Sequence, residues 1–115
     1  MNKIFNKVSG DSAEKLAIKF LKNKGYKILE EKYKNKIGEI DIIAKDKDII
    51  VFVEVKFRSN DYFGLPREAV NQQKQFKIRQ VATQYITTKR LFSIACRFDV
   101  LEILVDKITH IENCF

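Results

Sequence analysis

The sequence has little of the residue types that mark fibrous, disulfide-linked or zinc-binding chains. One proline and four glycines among 115 residues, with 32% charged side chains in mixed order, exclude a collagen-like, low-complexity or disordered chain. The two cysteines, Cys96 and Cys114, are too few for a disulfide framework and lack the spacing of a zinc site. We therefore expect reduced thiols that pack as small hydrophobic side chains.

Long hydrophobic runs are also missing. The longest, residues 49–53, has five residues, whereas a membrane span takes about 20. The first eight residues include two lysines but no extended apolar stretch and no small-residue cleavage site, so they do not resemble a secretory signal. We expect a cytoplasmic protein without membrane contact, whose length fits one domain over residues 1–115.

Positive charge is in excess, and the excess is regional. Twenty-two Lys and Arg against 15 Asp and Glu give a formal charge of +7. Residues 1–36 contribute +6 and residues 66–90 contribute +5, whereas the segments 37–58 and 91–115 are slightly acidic. A small acidic cluster between basic stretches suits a polyanion-binding surface that also holds a cation. Two solvated helix faces explain the charge counts equally well.

Apolar residues early in the chain recur at the spacing of a one-sided helix: Ala13, Leu16, Ala17, Phe20 and Leu21. This pattern predicts a helix over residues 12–24. Asp11 is a suitable N-cap, Glu14 stands three residues later as in a capping box, and Gly25 is placed to end the helix in a left-handed conformation.

Three strands in an antiparallel meander are predicted to follow this helix. Residues 26–33 alternate apolar with charged side chains and precede a polar turn at 34–36. Residues 37–44 and 49–57 are rich in Ile, Val and Phe, and the polar residues 45–48 between them have the length of a hairpin turn.

The second half of the chain predicts another helix and one or two more strands. Residues 58–64 show no period, and Pro66 suits the first turn of a helix whose apolar stripe is Ile78, Val81, Ala82, Tyr85 and Ile86. Alternation returns beyond Arg90, and the tail 108–115 can pair back as a hairpin strand. The predicted class is α+β or α/β, a central mixed sheet flanked by helices.

Charged side chains share faces in the middle strands. Residues two apart on a strand point to the same face, so Glu54 projects together with Lys56. In the preceding strand, Glu39 and Asp41 share a face opposite the neighbouring isoleucines. If an even number of residues closes the hairpin, Asp41 lies across from Glu54, with Cβ atoms about 5 Å apart. A slip of one residue would separate the two side chains.

Carboxylates gathered on an apolar hairpin repel one another and lose hydration, so such a cluster needs a compensating cation. Mg²⁺ or Mn²⁺ suits this arrangement because it takes one or two carboxylates and keeps water ligands. Lys56 would then hold a phosphate oxygen or the attacking water, and the combination indicates a phosphodiesterase site. An ion-pair lattice on a solvated sheet face is the other explanation of the Glu-x-Lys pattern.

Two further titratable residues leave alternatives open. Glu14 suits the capping box of the first helix, but it also lies at the edge of the face that packs on the sheet, where it could reach the cluster as a further ligand. His110 is a lone histidine near a strand end, and such residues are more often packed or solvated than catalytic.

Three motifs resemble the signatures of one bacterial family. Residues 38–44 read Gly-Glu-Ile-Asp-Ile-Ile-Ala, residues 51–58 read Val-Phe-Val-Glu-Val-Lys-Phe-Arg, and residues 97–100 read Arg-Phe-Asp-Val. They resemble the YraN family of uncharacterised bacterial proteins over nearly the whole chain. That family is similar in fold to the PD-(D/E)xK nucleases, and within them to the archaeal Holliday junction resolvases. The resemblance therefore implies a restriction endonuclease-like core.

The resemblance also implies roles for particular residues. The resolvase pattern of a helix glutamate, an aspartate and a Glu-x-Lys pair falls on Glu14, Asp41, Glu54 and Lys56, the three acids being the implied metal ligands. The implied nucleic-acid contacts are basic residues, namely Arg58, Lys74, Lys77 and Arg79. Ile40 stands where the nuclease pattern has proline, and Glu39 is an extra acid, which favours Asp41 as ligand without excluding Glu39.

The leading functional hypothesis is a Mg²⁺- or Mn²⁺-dependent endonuclease that hydrolyses phosphodiester bonds in DNA, with branched DNA as one candidate substrate. A catalytically inactive DNA- or RNA-binding module of the same fold is the alternative, since fold does not imply function. A protein-interaction adaptor that uses the Phe and Tyr side chains ranks third. Junction-type substrates would favour a symmetric homodimer.

Overall fold

The described residues form one five-stranded sheet with a helix on each face. The computed structural model describes residues 10–58, 70–104 and 107–115. The helices and strands follow one another in the order α1 Gly10–Asn23, β1 Lys27–Lys34, β2 Glu39–Asp46, β3 Ile49–Arg58, α2 Gln72–Lys89, β4 Cys96–Leu104 and β5 Lys107–Ile111. The predicted α+β class with a mixed sheet is confirmed, and this arrangement is compatible with a restriction endonuclease-like core.

The strands lie in the order β1-β2-β3-β4-β5. Neighbouring pairs are antiparallel except β3 and β4, which are parallel. Parallel neighbours need a crossover connection, and α2 lies in the connection between β3 and β4. The predicted antiparallel meander and the C-terminal hairpin strand are both confirmed.

Alternating side chains of β3 separate two hydrophobic clusters. Phe52 belongs to the cluster under α2, whereas Val51 and Val53 belong to the cluster under α1. The helices complete these clusters with their apolar stripes, which are Ile78, Val81, Ala82 and Tyr85 on α2 and Ala13, Ala17 and Leu21 on α1. Both faces of β3 are therefore covered, as expected for a central strand of a sheet with helices on both sides.

The start of α1 differs from the prediction, whereas its end agrees. The helix includes Asp11, so the predicted N-cap at that residue is wrong, and with it the capping box predicted from Asp11 to Glu14. Gly25 has a φ of +92°, which favours glycine, and the backbone N of Tyr26 donates to the carbonyl of Leu21 at 3.0 Å.

The turn between β2 and β3 is shorter than predicted. β2 continues to Asp46 and β3 begins at Ile49, so the turn consists of Lys47 and Asp48 alone. Lys47 adopts a left-handed φ of 56°. Two turn residues are still an even number, so the strand register expected from the sequence is retained.

The helix α2 begins later than predicted. Asn71 is its N-cap, with an extended backbone and a side-chain Oδ1 that accepts from the backbone N of Lys74 at 2.8 Å. The helix therefore starts at Gln72, and Pro66, which lies outside the described residues, is not in its first turn. This cap places Lys74 in the first turn of α2.

The two cysteines differ in their exposure. Cys96 is exposed, so the expectation of a packed thiol is wrong for this residue, which is the first of β4 and lies at the end of the strand. Cys114 is partly buried against the cluster under α2, as expected.

In the described part of the chain, neither helix has the length and apolar character to cross a membrane.

Candidate functional site

The candidate site lies where β2 separates from β3. The ladder between these strands ends at the pair Ile42 and Val53. Continuing this register by one residue places Asp41 opposite Glu54, as the sequence predicted. The Oδ2 atom of Asp41 accepts a hydrogen bond from the backbone N of Val55 at 2.8 Å. The carboxylate of Asp41 therefore satisfies the backbone N–H of Val55 at the point where the β2–β3 ladder ends.

Ile40 departs from the predicted alternation. The sequence placed Ile40 and Ile42 on one face, but Ile40 packs in the cluster under α2 and Ile42 in the cluster under α1. At this end of β2 the pairing continues with β1, where Ile40 lies opposite Tyr33. Strand twist accumulates more freely where a strand has one neighbour. The splayed end gives α2 access to the carboxylates.

Glu54 is a buried carboxylate whose charge is balanced by a lysine. It is 4% exposed, and its Oε2 atom forms an ion pair with Nζ of Lys74 from α2. An unpaired carboxylate at this depth would cost several kcal/mol. Lys74, which the resemblance implied as a phosphate contact, therefore lies against the carboxylate pair as the counter-ion of Glu54.

Asp41 ionises with difficulty in this setting. Burial, and secondly the negative charge of Glu54, raise the pKa of Asp41 to about 7. The hydrogen bond from Val55 and the charge of Lys74 act in the opposite direction without offsetting this rise. Asp41 is therefore partly protonated near neutral pH. Two adjacent carboxylates of this kind favour a bound cation, because a cation stabilises the ionised form of both.

Burial and neighbouring charges change the pKa values of the two lysines in opposite directions. Burial, and then the positive charge of Lys74, lower the pKa of Lys56. For Lys74 burial also acts to lower the pKa, but the hydrogen bond to Glu54 and the negative charges of Glu54 and Asp41 prevail and raise it. A hydrogen bond donated by Lys74 also lowers the pKa of Lys56, because only the neutral amine of Lys56 can accept it. Lys74 thus retains its proton, while Lys56 releases its proton more readily than an ordinary lysine.

A cleft of about 300 Å³ adjoins the carboxylate pair between the start of β2 and the first turns of α2. Its lining includes Glu39 from β2, Lys74 and Lys77 from α2, and the N-cap Asn71. Lys74 belongs both to this cleft and to the ion pair with Glu54. The structure therefore brings two of the four proposed nucleic-acid contacts and the extra acid Glu39 to one cleft, which Lys74 links to Glu54.

The two arginines of that set contact other side chains among the described residues. Nε of Arg58 is 2.8 Å from Oε2 of Glu102, and both side chains are buried. The guanidinium of Arg79 lies over the ring of Phe98, 4.7 Å from its centroid. Residues 74 and 79 are five positions apart on one helix, which turns them to well-separated faces of α2.

Glu14 is not grouped with the other acids. It lies on α1, whose stripe packs on the face of the sheet opposite to α2. Within residues 10–58, 70–104 and 107–115, no three Asp, Glu, His or Cys side chains converge to hold a metal ion. The donor set that fits a metal is the pair of Asp41 and Glu54, because Mg²⁺ is often held by one or two carboxylates plus water and substrate oxygens. The ammonium of Lys74 supplies positive charge to the carboxylate of Glu54.

Sequence reasoning missed a buried network around Asp99. This fully buried carboxylate accepts hydrogen bonds from Nε of Arg97 at 3.0 Å, Nε2 of His110 at 2.7 Å and the backbone N of Asn113 at 2.9 Å. Burial acts to raise the pKa of Asp99, but the hydrogen bonds from His110 and Arg97 lower it overall. Because the Lys24 ammonium only donates, Nδ1 of His110, 2.8 Å away, accepts, and Nε2 donates to Asp99.

This network lies on the α1 side of the sheet, away from the carboxylate pair. Asp99 is opposite Val53 in the parallel ladder, and Val53 packs under α1. We assign it a structural role, since it fastens the C-terminal residues to the strand β4. The Arg-x-Asp spacing at residues 97 and 99 was the available signal, because residues two apart on a strand share a face.

Comparison with known sequences shows relatives of similar length. The family model described as "Uncharacterised protein family UPF0102" matches residues 13–103. A UPF0102 protein of Clostridioides difficile is 53% identical over 112 residues, which cover 96% of this chain and 98% of the relative. UPF0102 proteins of Alkaliphilus oremlandii and Caldanaerobacter subterraneus subsp. tengcongensis are 51% and 46% identical over 116 and 122 residues. These alignments cover 96% and 100% of this chain and 99% and 100% of the relatives.

Proposed function

The chain belongs to the uncharacterised protein family UPF0102, the YraN family that its motifs resemble, and we propose that it is a metal-dependent nuclease that hydrolyses phosphodiester bonds. One observation supports this proposal above all others. Two adjacent carboxylates, one of them buried, meet two lysines beside a cleft lined by basic side chains. Such a combination is suited to holding a cation and an anion at once.

Asp41 and Glu54 are the proposed ligands of Mg²⁺ or Mn²⁺. A divalent cation bound there would polarise the phosphodiester and lower the pKa of a bound water. Asp41 is oriented by its hydrogen bond from Val55, and Glu54 by its depth in the sheet. A bound cation would favour the ionised form of Asp41, because its positive charge would offset burial and the negative charge of Glu54. Glu14 is not included in this ligand set because it lies on α1.

The two lysines have different proposed roles. Lys56, whose lowered pKa makes it easier to deprotonate, is suited to accept a proton from the attacking water. Lys74 keeps its proton and is suited to donate to a non-bridging phosphate oxygen. Lys77, one turn further along α2, would hold the next phosphate of the backbone.

We propose DNA as the nucleic acid and the cytoplasm as the location. The formal charge of +7 and the two lysines of the cleft support a polyanionic substrate. A catalytically inactive nucleic-acid-binding module is the second candidate. The observation that favours it is the grouping of two rather than three acidic side chains among the described residues.

Cleavage assays with a substrate panel test the proposal. Branched, single-stranded and duplex DNA, with RNA alongside, should be cut in Mg²⁺ or Mn²⁺ and remain intact in EDTA. Asp41→Asn and Glu54→Gln should each reduce cleavage at least about 100-fold, the size expected when a group acting on the transition state is lost. Asp48→Asn is the matched control, because it removes an acid from the turn of the same hairpin.

Two results would contradict the nuclease proposal. Undiminished metal-dependent cleavage by both site variants would show that the assigned residues are wrong. Salt-sensitive binding without cleavage by the folded wild-type protein would favour the inactive binding module.

A further inference from the structure

An apolar groove runs beside the cleft, between α2 and the turn that precedes β2. Its volume is about 460 Å³, and its lining includes Ile37, Phe76, Gln80 and Gln84. Phe76 is 61% exposed and Ile37 is 39% exposed. Large apolar side chains that are exposed together next to a groove are typical of binding surfaces.

The groove is built from ordered walls. Asn35 donates from Nδ2 to the side-chain oxygen of Gln84, which ties the turn to α2. The Oδ1 atom of Asn35 accepts from the backbone N of Ile37 at 2.8 Å and of Gly38 at 3.2 Å. The position of Ile37 relative to α2 is therefore set by hydrogen bonds at both Nδ2 and Oδ1 of the Asn35 side chain.

Positive charge flanks this groove. Ile37 lines the groove, and the next residue, Gly38, lines the cleft together with Lys74 and Lys77. Arg79 lines the groove on its other side. The apolar surface thus lies between cationic side chains, which suits a ligand with a flat apolar face attached to a negatively charged backbone.

We propose that this groove binds one unstacked nucleobase of the nucleic acid whose backbone occupies the cleft, with the ring of Phe76 as the stacking surface. The amides of Gln80 and Gln84 border the same groove and can pair with the polar edge of a base. The inference rests on the proposed function, because it requires that the cleft binds the phosphate backbone of a nucleic acid. It adds a substrate class, namely nucleic acid with unpaired bases in preference to continuous duplex.

Two features favour a nucleobase over a protein partner. The groove exposes two large apolar side chains, Ile37 and Phe76, whereas a stable protein interface buries about 800 Å² on each partner. An apolar protein surface would also have to desolvate the flanking Lys77 and Arg79, while the phosphates of a nucleic acid would pair with them.

Anisotropy titrations in EDTA test the proposal without depending on catalysis. Phe76→Ala should weaken binding of a single-stranded oligonucleotide about 10-fold, as expected for the loss of one stacked base. Binding of a blunt duplex of equal charge should change less than about 2-fold. Phe92→Ala is the matched control because Phe92 is 70% exposed and lies outside the groove, and it should change neither affinity.

A second variant reports on stacking directly. The chain contains no tryptophan, so Phe76→Trp introduces a single indole fluorophore at the groove. A single-stranded oligonucleotide should quench its emission while binding with wild-type affinity. An oligonucleotide of the same length and charge without bases should bind without quenching.

Several results would overturn the groove assignment. Equal losses for single strand and duplex in Phe76→Ala, no loss for either, or unquenched Phe76→Trp emission would each refute it. If Phe76→Ala changed the sedimentation coefficient of the protein but not its affinity for either nucleic acid, the groove would be an interface between protein chains. Selective loss of single-strand binding without any cleavage in Mg²⁺ would refute the nuclease proposal and leave the nucleobase site standing.

Discussion

Replacing Asp41 by asparagine should stabilise the protein at alkaline pH. Burial and then the charge of Glu54 raise the pKa of Asp41 from its usual 3.8 to about 7, so the folded chain resists ionisation of this group. Asparagine has almost the same shape, keeps an oxygen that accepts from the backbone N of Val55, and cannot ionise. The variant therefore removes an electrostatic cost while leaving the packing intact.

The sign and size of the effect follow from the two pKa values. Below pH 4, Asp41 is protonated in both the folded and the unfolded chain. Between pH 4 and pH 7 the unfolded chain releases this proton and the folded chain retains it, so the free energy of unfolding falls as the pH rises. The difference between 3.8 and about 7 corresponds, at about 1.36 kcal/mol per pKa unit, to at most about 4 kcal/mol above pH 7.

Urea denaturation in EDTA between pH 4 and pH 8.5 measures this effect. Wild type should lose stability across that range relative to Asp41→Asn, and the variant should be the more stable protein at pH 8. Asp48→Asn, in the turn of the same hairpin, should follow the wild-type pH dependence. An Asp41→Asn protein that is less stable than wild type at pH 8, or that retains the wild-type slope, would refute the electrostatic reasoning.

Two further substitutions distinguish the carboxylate pair from the Asp99 network. Lys74→Met should lower the free energy of unfolding by about 2 kcal/mol in EDTA, because buried Glu54 loses its half-exposed counter-ion, and Mg²⁺ should restore it. Lys77→Met should leave the free energy of unfolding unchanged both in EDTA and in Mg²⁺. Urea titrations under both conditions measure this, and an equal response of the two variants would contradict the role of Lys74 as counter-ion. Asp99→Asn should cost about 3 to 5 kcal/mol, since it breaks the ion pair between fully buried Asp99 and mostly buried Arg97. A melting temperature near that of wild type would show that the network is dispensable.

Local patterns predicted the central hairpin well. The alternation in residues 49–57 assigned Val53 and Glu54 to opposite faces, because a strand covered on both sides has a strict period of two. The start of α2 was predicted wrongly because Pro66 is a strong local signal for a first helical turn, whereas Asn71 is the cap.

Contacts between distant elements could not be predicted in the same way. The pairing of Arg58 with Glu102 depends on the parallel alignment of β3 with β4, and the position of Lys74 on Glu54 depends on how α2 packs across the sheet. Likewise, Asp99 meets His110 through the β4–β5 hairpin. Sequence spacing specifies which residues share a face but not which helix will cover them.

Anomalous diffraction from crystals soaked in Mn²⁺ tests the proposed metal site most directly. We expect one anomalous peak within about 2.5 Å of carboxylate oxygens of both Asp41 and Glu54, with Nζ of Lys74 displaced from Glu54. A peak bound to other residues, or no peak while Lys74 stays on Glu54, would contradict the account.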